Sequence, residues 1–138
     1  MRKIRIALGS NDGETLVPDH MGMATYFYVY DLFEDGRWEP VERRLNTSPK
    51  SEKGRHGLAE KLKGAAAVFQ DCDLVLSRRR SPNFVKMRDN SKFQPVLTGA
   101  AAIPDSLKAL AEAFSELYEL VEARRNGQRP KTIPIVGG

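Results

Sequence analysis

Imidazole and thiol donors for a metal are scarce in this chain: two histidines, His20 and His56, and one cysteine, Cys72. His20 lies in SNDGETLVPDHMGMATYF, with the thioethers of Met21 and Met23 behind it, the acids Asp12, Glu14 and Asp19 ahead of it, and Gly13, Pro18 and Gly22 to bend the backbone. A neutral imidazole ligates iron, zinc or copper, and a thioether is a soft, weak ligand. The stretch is therefore either a metal-contacting loop or a turn whose histidine bonds the backbone while its methionines enter the core. His56, in Arg55-His56-Gly57, precedes a helical pattern and has the same two readings. Cys72 could complete a metal set with His20 and His56. It also adjoins an apolar run, and Asp71 and Asp73 disfavour its thiolate, which favours burial over reactivity.

A second chemistry is cationic. Arg78, Arg79 and Arg80 follow CDLVLS and precede Ser81-Pro82, a serine cap with proline in the first turn of a helix. Open α/β sheets bind ligands at the carboxyl ends of their strands, where guanidinium groups hold carboxylates, phosphates or anionic clusters. The cofactor-binding candidates are thus His20, Met21, His56, Arg78 and Arg79, and a solvated basic loop is the alternative for the arginines. The acids of the opening loop do not make a nuclease, because two-metal chemistry needs carboxylates converging from the first strand and IRIAL has none. No serine-histidine-acid order, phosphate-binding glycine loop or cysteine pair is present, and the chain reads as non-catalytic.

The elements around these residues follow from periodicity. Ile4, Ile6 and Leu8 alternate as in a strand, TYFYVYDLF is aromatic and β-branched, and Glu34-Asp35-Gly36 predicts a hairpin into RWEPVERRL. Pro40 places that third strand at a sheet edge. Residues 46–55 predict a polar loop, and Leu58, Leu62, Ala65, Ala66 and Phe69 a helical stripe. CDLVLS predicts a buried strand, residues 82–90 a short helix, residues 93–97 a last strand, and Leu107 to Val121 the clearest helix, ending at Asn126-Gly127. The order β-β-β-α-β-α-β-α predicts a mixed five-stranded sheet with helices on both faces, an α/β protein of three α/β/α layers.

At 138 residues, 41% hydrophobic and 29% charged, the chain suits one soluble domain. Residues 1–125 are expected to form it. Residues 126–138 are expected to be a basic tail, either disordered or an arm that docks on a partner. No apolar run is long enough for a membrane span and no signal-peptide core forms, so a cytoplasmic location is expected. The single cysteine excludes an internal disulfide and a four-thiolate cluster. The net charge of +4 favours anionic partners.

Placed in this order, DGETLVPDHMGMATYFYVYDL, HGLAEKL, DCDLVLS and PVLTGAAAIPDSLKAL resemble the dinitrogenase iron-molybdenum cofactor biosynthesis family over residues 3–125. The resemblance implies a ribonuclease-H-like fold. It also implies a carrier of an iron-sulfur or iron-molybdenum cofactor or precursor, bound transiently, with metallocofactor assembly proteins as partners. His20 falls in the matching loop. Arg78-Arg79-Arg80 stands where the family has a glycine-rich loop, and His56 alone stands where many members carry several histidines. The alternative reading is a metal-free interaction or regulatory module that binds an anionic partner, nucleic acid not excluded, through Arg78 to Arg80 and the tail.

Overall fold

A computed structural model describes residues 1–47 and 66–138. Its first strand, β1 (Lys3–Ser10), lies in the middle of the sheet. It pairs antiparallel with β2 (Tyr26–Phe33), from Lys3↔Phe33 to Ser10↔Tyr26, and parallel with β4 (Leu74–Ser77), Leu8 opposite Leu76. β2 turns at Gly36, whose φ of 91° needs a residue without Cβ, into β3 (Trp38–Leu45). The β2–β3 ladder slips between Val29↔Glu42 and Tyr30↔Pro40, leaving Val41 as the extra residue of a bulge.

Helix α1 (Pro82–Asn90) joins β4 to the parallel β5 (Gln94–Thr98), and α2 (Ile103–Glu112) and α3 (Phe114–Arg125) follow. Alternation along β1 sends Ile4, Ile6 and Leu8 to one face, where they meet Leu107 and Leu110 of α2 and Leu117 and Val121 of α3. Ala7 points the other way, into a second core with Phe27, Val29, Phe69, Val75 and, from α1, Phe84 and Met87. Phe69 stands edge-on to both Phe27 and Phe93, each at 5.2 Å between ring centroids. The result is the expected three-layer α/β arrangement around a mixed sheet.

Among the described residues the sheet has six strands instead of the expected five, in the order β3-β2-β1-β4-β5-β6. The sixth, β6 (Ile135–Val136), comes from the tail and lies parallel to β5. Leu97 N donates to Pro134 O and Gly99 N to Val136 O, each at 2.9 Å. The tail therefore docks on its own sheet. Its anchor is Arg124, only 3% exposed, whose guanidinium donates to Gln94 Oε1 (2.7 Å), Ser91 O (2.9 Å), Arg88 O (3.0 Å) and Pro130 O (3.2 Å). Gln94 in turn donates to Thr132 O at 3.1 Å.

The single final helix of the sequence reading is two helices, parted at Ala113 (φ −102°, ψ 15°). The apolar stripe runs on across the break and conceals it. Of the stripe from Leu58 to Phe69, residues 66–68 are helical and Phe69 follows in a turn; the part of the expected helix up to residue 65, and the expected loop from residue 48 onward, lie outside the described residues.

Candidate functional site

The loop that leaves β1 is fixed from both ends. Ser10 Oγ donates to Thr15 O (2.6 Å) and accepts from Gly13 N (2.9 Å). Asp12 Oδ1 accepts from the backbone N–H groups of Thr15 and Glu14, both at 2.9 Å. These bonds hold the Asp12 carboxyl down at about 2, so this acid is spent on shaping the turn. Gly13 has a φ of 76°, and a Cβ there would come within 2.8 Å of the Tyr28 hydroxyl oxygen. Leu16 N donates to Ala101 O and Ile103 N to Glu14 O, each at 2.9 Å, which ties the loop to the start of α2.

The chain then makes a 3₁₀ turn, Met21–Met23, entered from His20. Gly9 lets this turn close on β1: a Cβ at Gly9 would lie 2.8 Å from both Ala24 Cβ and Met21 O. Asn46, just past β3, clamps the turn from the other side, its amide donating to Gly22 O (2.9 Å) and Ala24 O (2.8 Å). Met21 is buried in the second core, while Met23 is partly exposed.

His20 has two dissimilar nitrogens. Nε2 stands 3.8 Å from Asp19 Oδ1, whereas Nδ1 is buried with no hydrogen-bond partner among the described residues. Among the described residues only Asn83 Oδ1 is another such buried side-chain atom, and Asn83 is in the first turn of α1. Asp19 Oδ1 also lies 3.7 Å from Arg79 Nη1. The loops following β1 and β4 thus bring His20 and Arg79 together through one carboxylate, at the carboxyl end of the parallel strands.

Arg78, Arg79 and Arg80 are all exposed, and among the described residues no carboxylate pairs with Arg78 or Arg80. The buried Ser77 hydroxyl bonds the backbone of Arg79 on both its oxygen (3.2 Å) and its nitrogen (3.3 Å), which sets the direction of this loop. Ser81 Oγ then accepts from Phe84 N at 3.2 Å and caps α1 as expected.

Cys72 is 1% exposed, and burial, with Asp71 adding to it, pushes its thiol up to about 12. It precedes the amino end of β4, so the strand separates it from Arg79 and from the parallel end of β1 where His20 sits. The structure does not bring Cys72 and His20 together. His56 lies outside the described residues, as does any pocket it would share with His20. Among the described residues, no three of His, Cys, Asp and Glu gather into a metal-holding group.

Two participants escaped the sequence reading. Asp19 was one of three loop acids with nothing to mark it out, since Arg79 is far away in the chain; the Asp19-His20 adjacency was its only signal. Asn46 opened a polar stretch and carried no pattern. Among the described residues, no helix is long and apolar enough to cross a membrane. No curated protein and no solved structure matches the chain significantly. The family model described as dinitrogenase iron-molybdenum cofactor matches residues 2–113, well over half of the sequence, and the chain belongs to that family.

Proposed function

We propose that this protein is a non-catalytic carrier that holds an iron-sulfur or iron-molybdenum cofactor, or a precursor, at the carboxyl end of its parallel strands. The family is linked to assembly of that cofactor, which supports the role. The observation that carries the site is His20 Nδ1, a buried nitrogen with no hydrogen-bond partner among the described residues. Leaving a buried polar atom unsatisfied costs about 1–3 kcal/mol, and a neutral imidazole nitrogen that no protein group holds can ligate a metal once the loop uncovers it.

The donor set suits a cargo more than a resident metal. One imidazole from a braced loop, with no closed cage of ligands among the described residues, holds a cluster by few bonds and permits transfer to an assembly partner. His56 is the proposed second ligand. Arg78 and Arg79 offset the negative charge of the cargo. Met21, buried in the core, shapes the loop, and Cys72 takes no part.

Anaerobic incubation with iron, sulfide and a thiol reductant, followed by visible absorption and iron analysis, tests this. The wild-type chain is expected to retain iron, and His20→Ala to lose at least about tenfold in affinity, since even a residue that only supports a metal ligand is worth about 10–100-fold. Iron retention unchanged in His20→Ala overturns the site.

The exposed arginine triplet favours a second reading, in which the same end of the sheet binds an acidic macromolecule without metal. That binding would weaken steeply with salt and on Arg79→Ala. Absence of binding at low salt removes it.

A further inference from the structure

One oxygen of Asp19 does three things. Oδ1 accepts a 2.8 Å hydrogen bond from the backbone N–H of His20, stands 3.8 Å from His20 Nε2, and stands 3.7 Å from Arg79 Nη1. The first is a firm local bond. The other two exceed the 2.7–2.9 Å or so of a direct charge-assisted hydrogen bond. The Asp19 side chain is 54% exposed and that of Arg79 64%, so solvent screens their attraction. A negative oxygen thus sits loosely between an imidazole and a guanidinium contributed by two different loops.

The other acid-base pairs at the sheet are closer. Arg5 holds Asp31 at 2.9 Å and Asp71 at 2.8 Å, and Asp12 is fully committed to its turn. Asp19 alone of the loop acids lies between the two candidate contacts of a ligand, and its hold on Arg79 is weak enough to be exchanged.

We propose that Asp19 is an internal counter-anion, occupying the place that an anionic group of the ligand takes beside Arg79. The inference rests on the carrier reading above and deepens it: the ligand is an anion, and Asp19 must release Arg79 for it to bind. Asp19 then sets a threshold. A neutral or weakly charged species does not displace it, whereas a multiply charged metal-sulfide anion does. Binding and release are tuned by competition between two anions for one guanidinium, with no large movement of the sheet.

The test uses the full chain and two probes, tetrathiomolybdate as a metal-sulfide dianion and inorganic sulfate as a plain oxyanion. Asp19→Asn keeps an oxygen to accept from His20 N and removes the charge, so the turn is preserved. Calorimetric titration at low salt is expected to show the dianions binding Asp19→Asn about fivefold or more tighter than wild type, because the attraction of unit charges about 4 Å apart in water between Asp19 and Arg79 no longer has to be broken. Arg79→Ala is expected to weaken both proteins to the same level and so cancel the gain. A merely structural role for Asp19 predicts the reverse, weaker binding in Asp19→Asn.

The outcomes separate the two readings. Equal or weaker dianion binding by Asp19→Asn overturns the counter-anion role, while iron retention that depends on His20 leaves the carrier reading standing. Binding of neither dianion by either protein overturns the counter-anion role as well. Tighter dianion binding by Asp19→Asn without any His20-dependent iron retention keeps the anion site and removes the cluster.

Discussion

Gly9 shows how narrowly the site residues are positioned. It is not a turn glycine. Its missing Cβ is the space into which Ala24 and the Met21 carbonyl close, and that approach sets where His20 leaves the backbone. Gly9→Ala should overpack this contact and cost about 1–3 kcal/mol, moving the 3₁₀ turn and leaving the sheet in place. The expected readout is iron retention reduced toward that of His20→Ala with an unchanged far-ultraviolet circular dichroism spectrum; normal retention would mean that the turn tolerates displacement. Imidazole is chemically distinctive, which makes His20 a candidate from sequence alone, and the structure spends Asp12 on the N–H groups of its own turn. What sequence could not supply was direction: which imidazole nitrogen is buried, and that Asp19 faces Arg79, are matters of two distant loops meeting. The fate of Cys72 was legible for a simpler reason, since an apolar strand beside it implied burial and burial raises its thiol pKa.

At the scale of elements, alternation made β1 readable, aromatic and β-branched density β2, and a short apolar run β4, and the Glu34-Asp35-Gly36 turn fixed the hairpin. β6 was not readable, because two residues have no period. The tail's composition leaves disorder and a partner-docking arm equally open, and its order on the sheet rests on Arg124, whose helical position reads as part of a basic helix end. Burial lowers the Arg124 pKa to about 10, which leaves it charged at neutral pH and held by oxygens without a carboxylate in direct contact. Arg124→Met should strand several acceptors, Gln94 Oε1 among them, and destabilise the protein by about 2–4 kcal/mol. Hydrogen exchange gives a local signature: the amides of Leu97 and Gly99, which donate to the tail, should lose protection before those of β1. Uniform loss across the sheet would show that Arg124 supports the whole fold and not the tail in particular.

Across the whole molecule, charge joins strands that apolar packing alone would leave loosely sealed. Arg5 of β1 binds Asp31 of β2 and Asp71 ahead of β4, and Arg44 of β3 reaches the same Asp71 at 2.6 Å. Arg5 holds the Asp31 carboxyl below its ordinary 3.8, and Arg44, with Arg5, holds Asp71 well below it. Because both folded pKa values are depressed, their contribution is fully present above about pH 4 and is lost as pH falls through the folded values. Urea midpoints should therefore drop steeply below pH 4. Asp71→Asn should lower stability at pH 7 by about 1 kcal/mol, allowing for solvent screening of a half-exposed carboxylate, and flatten that drop. An unchanged acid profile in Asp71→Asn would assign the loss to other carboxylates.

The bulge in β3 has a consequence for concentrated solutions. An open sheet edge is a template on which further chains can add, and β3 is a poor one: Pro40 lacks a donor, Val41 breaks the register, and Glu39, Glu42, Arg43 and Arg44 interrupt any apolar run. The opposite edge is only two residues of β6, followed by Gly137 at a φ of 67°, outside strand geometry. Among the described residues neither rim offers an unbroken length of strand for amyloid-like growth, and the charges along β3 make any pairing there sensitive to ionic strength.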